Sequence, residues 1–240
     1  MIDEQHIASA FDRDLEDIQA NLMRMGGLVE QAIKDATRAL TKHDGELADQ
    51  VRGADKKVDA LDEQIHSECA RLIALRQPIA SDLRVVLSVM KITSNLERVG
   101  DYAKNMAKRT KVVLSSHEIE GASGSIKRMS REVEKMLTDA LDAYIRHDVE
   151  LADDVRHRDI EVDQMYTALF REFLTFMIED PRNITACMHY HFIAKNIERM
   201  GDHVVAIADQ TIYQATGRMP EDSRPKAMSD IYDVPGDGDA

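Results

Sequence analysis

Two short stretches of this sequence carry residues that could do chemistry, and they are nearly the same stretch. Asn95-Leu96-Glu97-Arg98-Val99-Gly100-Asp101 returns as Asn196-Ile197-Glu198-Arg199-Met200-Gly201-Asp202, a shift of 101 positions (196 against 95). The Glu and Asp of each copy are four apart, which stacks them on one face of a helix. Two acids so placed repel each other, and a glycine inside a helix costs about 1 kcal/mol relative to alanine. A second pair accompanies each copy, Asp55-x-x-x-Asp59 and Asp159-x-x-x-Asp163, related by 104 positions (159 against 55). Carboxylates gathered without histidine or cysteine suit hard or intermediate cations such as Mg, Mn, Fe or Ca, and suit Zn less well. The chemistry these residues suggest is metal binding.

Spacing alone proves little. Asp12/Glu16, Asp59/Glu63 and Glu150/Asp154 share it and have no twin at the repeat offset, so they read as solvated helix faces. The plainer account of the doubled acids is an ion-pair network with Arg98 and Arg199, one residue further around the helix. Asn95 and Asn196 would orient a carboxylate or bridge to the next helix. His191 lies on the same stripe as Glu198, but Met90 fills that place in the first copy, so a satisfied core histidine is the preferred reading. His203, beside Asp202, reads as peripheral. Glu63-x-x-His66 occurs once, whereas a di-iron carboxylate site needs the motif twice. There is no P-loop, dinucleotide fingerprint or nucleophile elbow.

The elements that position these acids are helices. Leu15, Ile18, Leu22, Met25, Val29, Ala32, Ala36 and Ala39 alternate steps of 3 and 4, a bundle seam with Gly26-Gly27 in its middle as a possible bend. A turn at His43-Asp44-Gly45 leads to a second helix whose apolar face holds Leu47, Val51, Ala54, Val58, Leu61, Ile65 and Leu72. Pro78 ends it, and a third helix follows with Ser81 or Asp82 as its expected cap. Along this third helix Leu83, Val86 and Met90 are continued by Thr93, Glu97 and Asp101, so a core-facing stripe turns acidic. After an expected linker over 115–124 the pattern restarts with Ile126, Met129, Val133, Met136, Ala140 and Ala143. His43-Asp44-Gly45-Glu46-Leu47-Ala48-Asp49 is echoed by His147-Asp148-Val149-Glu150-Leu151-Ala152-Asp153, and Pro78 by Pro181. The chain is therefore an all-α duplication, two tandem three-helix bundles with six helices. Residues 1–116 form the first unit and 117–216 the second; 217–240 form an acidic tail with no apolar period, expected to be disordered. Second and third helices of a bundle run antiparallel, which lets Asp55, Asp59, Glu97 and Asp101 converge in one unit and Asp159, Asp163, Glu198 and Asp202 in the other.

Composition narrows the partners. A net charge of −13 over 240 residues argues against nucleic acid, which requires a basic face, and favours cations. Cys69 and Cys187 stand apart, without ligating neighbours, and read as reduced core residues. The first residues lack the apolar region of a signal peptide, and no run is long enough to cross a membrane. These features lead to the expectation of a cytoplasmic protein without membrane insertion.

The doubled N-[LI]-E-R-[VM]-G-D element with its D-x-x-x-D partners resembles the PhoU family of phosphate-transport regulators, over roughly residues 10–216. The resemblance implies two three-helix bundles whose acidic motifs hold iron, zinc, manganese or magnesium. Carried over by position, the ligands would be Asp55, Asp59, Glu97 and Asp101, with Asp159, Asp163, Glu198 and Asp202. It further implies a cytoplasmic, often dimeric protein that is not an enzyme. Such a protein would link the ATPase of the phosphate importer to the phosphate-sensing histidine kinase and repress the phosphate-starvation response. Two other readings are set beside it: a carboxylate-cluster metalloenzyme acting on phosphate esters, and a metal-free helical scaffold. The first of these would normally mix histidines among the ligands and supply an acid or base in a pocket.

Overall fold

A computed structural model of the chain describes residues 2–116 and 118–220. Six helices are present: α1 (Ile2–Thr41), α2 (Gly45–Arg76), α3 (Ala80–Val113), α4 (Ala122–Arg146), α5 (Val149–Glu179) and α6 (Ile184–Thr216), with a single 3-10 turn, Pro181–Asn183, before the last. The seam of α1 is buried at Ile18, Leu22, Met25, Val29, Ile33, Ala36 and Leu40, while Leu15 is only partly covered. The stripe thus drifts from Ala32 to Ile33, as a straight helix of 3.6 residues per turn requires.

The echoed His-Asp pairs are one turn used twice. His43 and His147 take left-handed backbone (φ 57 and 54) at the end of α1 and α4. The next residues, Asp44 and Asp148, each donate an N–H back to the closing helix at 2.9 Å. Their carboxylates then accept the N–H of Leu47 and Leu151 at 2.9 Å, capping α2 and α5. The expected cap of α3 is not found: Ile79 occupies that position and offers no side-chain bond. Ser81 instead donates to Asp82. The linker is also shorter than expected, since α4 starts at Ala122 after Gly121 (φ 77), and Ile119 is buried beneath it. Gly217 (φ 76) closes α6. The tail reading beyond residue 220 lies outside the described residues.

The two units pack along their third helices. Arg84 stacks over Tyr213, Asn95 meets His203 at 2.8 Å, and Arg109 lies over Phe192 at 4.1 Å. Residue numbers rise on α3 as they fall on α6, so the helices are antiparallel. α1 meets α4 in the same sense, through Gln19–Tyr144, Glu30–Thr138 and Lys34–Glu134. This is a pseudo-twofold arrangement, with α1, α3, α4 and α6 inside. Among the described residues α2 touches only α1 and α3, and α5 only α4, α6 and the 3-10 turn. Gly26 does not interrupt α1; it lets α4 approach, since a Cβ there would lie 2.6 Å from Leu141. Among the described residues no helix is long and apolar enough to cross a membrane.

Candidate metal centre

The motif glycines explain how the acids come to be buried. α2 crosses α3 at Gly100 and α5 crosses α6 at Gly201. A Cβ on Gly201 would fall 2.5 Å from Asp159 Oδ1, and one on Gly100 would meet Val58 at 3.4 Å and Asp55 Oδ1 at 4.0 Å. Without the side chain, the second helix lays its first aspartate against the backbone of the third. Asp55 is accordingly 7 % exposed and Asp159 only 1 %. Glu198 is buried as well, while Glu97, Asp101 and Asp163 are half-buried and Asp59 and Asp202 are exposed. The eight predicted residues stand in unequal environments: Asp55 and Asp101 are joined across α2 and α3 by Lys104, and Asp159 lies against Gly201 across α5 and α6.

In the first unit the acids crowd one another. Burial pushes the Asp55 carboxyl above its ordinary value, the charges of Asp59 and Asp101 push the same way, and Lys104 opposes them. Glu97 is also raised, first by burial and then by the charge of Asp101, against the pull of Arg98. Arg98 reaches Glu97 at 3.5 Å and Asp101 at 3.7 Å from an exposed position, so the ion-pair account of that arginine holds. The stronger cation is one the motif did not point to. Lys104 Nζ contacts Asp55 Oδ2 and lies 3.1 Å from Asp101 Oδ1, bridging α2 and α3 with its own charge stabilised by both. Its only sequence signal is a lysine three residues after the motif aspartate.

In the second unit Lys195 Nζ meets Glu198 Oε1 at 2.7 Å and sits over the Tyr166 ring at 5.1 Å. The other oxygen of Glu198, Oε2, is buried with no hydrogen-bond partner. Asp159, Asp163 and Asp202 are each engaged by a polar or electrostatic neighbour. The two lysines are not repeats of each other: Val205 stands where Lys104 would be, and Ser94 where Lys195 would be.

The two histidines differ from expectation. His191 is ringed by Tyr166, Phe170 and Phe192, with centroids 5.2–5.8 Å away, and its buried Nδ1 has no hydrogen-bond partner, so it is a packed histidine but not a satisfied one. His203 is not peripheral. It bonds Asn95 of the other unit and lies against Tyr102, which also gives Asn95 its bridging role. Burial lowers the pKa of both histidines. Cys69 and Cys187 are buried and unpaired; burial pushes the Cys69 thiol up to about 12.

The donor set fits a hard cation in type: oxygens only, with Asp55 and Glu97 raised first by burial and then by neighbouring carboxylates. In this arrangement, among the described residues, no three acid, histidine or cysteine side chains gather around one point. Ligation would require side-chain rotation and, in the first unit, movement of Lys104. A cavity of about 210 Å³ lined by Leu28, Val51, Val58 and Gly100 reaches Asp55.

Comparison with known proteins gives this geometry its context. The PhoU domain matches twice, over residues 22–110 and 126–211, one match per unit. The phosphate-specific transport system accessory protein PhoU homolog of Rhizobium meliloti is 44 % identical over 221 residues, covering 92 % of this chain and 93 % of its own length. That of Caulobacter vibrioides is 42 % identical over 222 residues, covering 92 % of this chain and 96 % of its own. The crystal structure of PhoU from Pseudomonas aeruginosa superposes with a TM-score of 0.84 at 39 % identity, covering 87 % of this chain and 100 % of that one. PhoU from Streptococcus pneumoniae gives 0.80 at 30 % identity, covering 88 % and 99 %. With the domain present in both units and solved members sharing the whole fold, the chain belongs to the PhoU family.

Proposed function

We propose that this chain is a cytoplasmic, non-catalytic regulator of phosphate uptake whose acidic clusters bind Fe, Zn, Mn or Mg. On this reading it acts as a homodimer. It docks the ATPase subunit of the phosphate importer and the phosphate-sensing histidine kinase, and holds the phosphate-starvation response off when phosphate is plentiful. The observation that carries the reading is the repeated concentration of carboxylates in the two motifs, kept although burial, and after it neighbouring like charge, raises Asp55 and Glu97. A structural role alone does not call for that cost, because apolar pairs at these positions would pack the same helices. Support for the biological setting comes from relatives named as accessory proteins of the phosphate-specific transport system. The bound metal would be held by Asp55, Asp59, Glu97 and Asp101 or by Asp159, Asp163, Glu198 and Asp202, and would supply charge neutralisation across each seam.

The test is a starvation-gene reporter in phosphate-rich medium. A variant with Glu97, Asp101, Glu198 and Asp202 all changed to alanine should fold yet lose repression and fail to co-purify the importer ATPase and the kinase. Deleting the residues after 220 should leave both intact. A folded quadruple variant that represses like the parent would move the function away from the acids.

A further inference from the structure

Where the first and second helices of a unit meet, the two units are filled differently. In the second unit that place holds Arg158 of α5, its Nη2 2.6 Å from Asp139 Oδ2 of α4 and its Nε 3.0 Å from Asp154 Oδ2. Met136 of α4 is buried. At the same repeat offset the first unit has Ala54 for Arg158 and Ala32 for Met136 (158 against 54, 136 against 32). It keeps Asp35 for Asp139 and has Gln50 for Asp154. Ala32, Asp35, Gln50 and Ala54 all line the cavity of about 210 Å³, whose apolar wall is Leu28, Val51 and Val58. The cavity thus stands where the second unit places an arginine and a methionine. An unfilled hole costs stability, because its walls lose their packing partners.

We propose that this cavity binds an alkylguanidinium group from outside the chain, in the place of the arginine that the second unit supplies for itself. The inference goes beyond the regulatory reading and requires no metal. Leu28, Val51 and Val58 would pack the hydrocarbon stem, and Asp35 would accept from the planar head, as Asp139 accepts from Arg158. Asp35 already takes Gln31 at 2.8 Å and the exposed Arg38 at 2.9 Å, but a carboxylate offers about four acceptor sites and has room for a further donor. Gln50 presents an amide oxygen where Asp154 stands in the second unit. Asp55, 7 % exposed, lines the same cavity, and Lys104 contacts it at Oδ2, so the wall carries a second carboxylate to favour a cation. The volume is below the roughly 300–1,000 Å³ usual for small-molecule sites and suits a group the size of one side chain. Such a group comes either from a free small molecule or from an arginine side chain of a peptide, and the titrations tell the two apart.

The experiment is calorimetric titration of chelator-treated, full-length protein, with circular dichroism as the folding check. The free probe is n-butylguanidinium, set against its neutral isostere n-butylurea. The peptide probe is a blocked glycine peptide with one central arginine, set against the same peptide with citrulline. The parent should bind a guanidinium probe about tenfold or more tightly than its urea counterpart. D35N should weaken that binding about tenfold, and A54R, which restores the second unit's arginine, should abolish it. E63Q removes an exposed acid further along α2 and should bind like the parent, which excludes a general attraction to negative charge. Within a positive result, tighter binding of n-butylguanidinium assigns the site to a free small molecule, and tighter binding of the peptide assigns it to an arginine of another protein. Binding that persists in A54R would overturn the proposal, as would an equal loss in E63Q or equal affinity for guanidinium and urea. Absence of binding by the parent to either guanidinium probe up to about 10 mM would overturn it as well.

Discussion

The motif glycine has a different task in each unit, although the letter is the same. At Gly201 the Asp159 carboxylate occupies the space a methyl would need, with 2.5 Å to the new carbon, so Gly201→Ala should cost about 1–3 kcal/mol through overpacking. At Gly100 the nearest atom is Val58 at 3.4 Å, an ordinary contact, so Gly100→Ala should be neutral or gain up to about 1 kcal/mol of helix propensity. Denaturant midpoints of the two variants check this, and equal losses would refute the close-approach account of Gly201. The titrating residues make a second prediction. His191 and His203 have lowered pKa values, so above their ordinary value of 6.5 their contribution to stability is complete. It is lost as pH falls through 6.5 toward the folded values, because the unfolded chain takes protons that the fold resists. Asp55 and Glu97 are raised and act in the opposite sense: their contribution is present in acid and lost as pH rises through the folded values. His203→Gln should therefore flatten the loss of stability below 6.5. Metal-free Glu97→Gln should be more stable than the parent at neutral pH, with the difference shrinking on acidification. Midpoints measured across that range decide both.

At the scale of elements, the repeat is most exact where backbone geometry is most demanding. The His-Asp turns ending α1 and α4 use the same left-handed residue and the same aspartate cap, with 2.9 Å bonds to Leu47 and Leu151. Asp44→Ala and Asp148→Ala should each cost about 1 kcal/mol, measured by thermal unfolding, while Asp→Ser should cost less because serine also caps. The turns between second and third helices share a proline and little else. Pro78 follows a left-handed Gln77, whereas Pro181 opens a 3-10 turn capped by Asp180. That difference explains the misplaced cap of α3. Proline signals that a helix must stop, but which residue starts the next depends on how the two helices are held.

At the scale of the molecule, α3 against α6 is the most extensive helix pairing, larger than any pairing within a unit. The two units should therefore unfold together. Calorimetry and circular dichroism should report one transition, lowered as a whole by either Asp44→Ala or Asp148→Ala; two separable transitions would show independent domains. Polar and ring contacts across this interface join Arg84, Asn95, Tyr102 and Arg109 of α3 to His189, Phe192, His203 and Tyr213 of α6, beside the many aliphatic residues that both helices bury. Each of these helices buries a wide apolar arc that also packs inside its own unit, so no separate stripe marks the face toward the other unit; the duplication was therefore legible in the sequence and the packing of its halves was not. It also hid His203, whose partner Asn95 is remote in the chain and near only across the pseudo-twofold.

By itself the sequence determined six helices, their grouping into two equivalent units and the alignment of the acidic motifs, because all of these follow from local periodicity and from comparison of the chain with itself. The tertiary structure decided which acids are buried, since Asp55 and Asp159 owe their burial to a helix crossing over a glycine far along the chain. It also decided the charge state of the clusters. Lys104 and Lys195 look like ordinary surface lysines in the sequence, and only the approach of α2 to α3 places one of them between two carboxylates. Electrostatic neutralisation depends on distances of a few ångströms between elements, and those distances are set by packing.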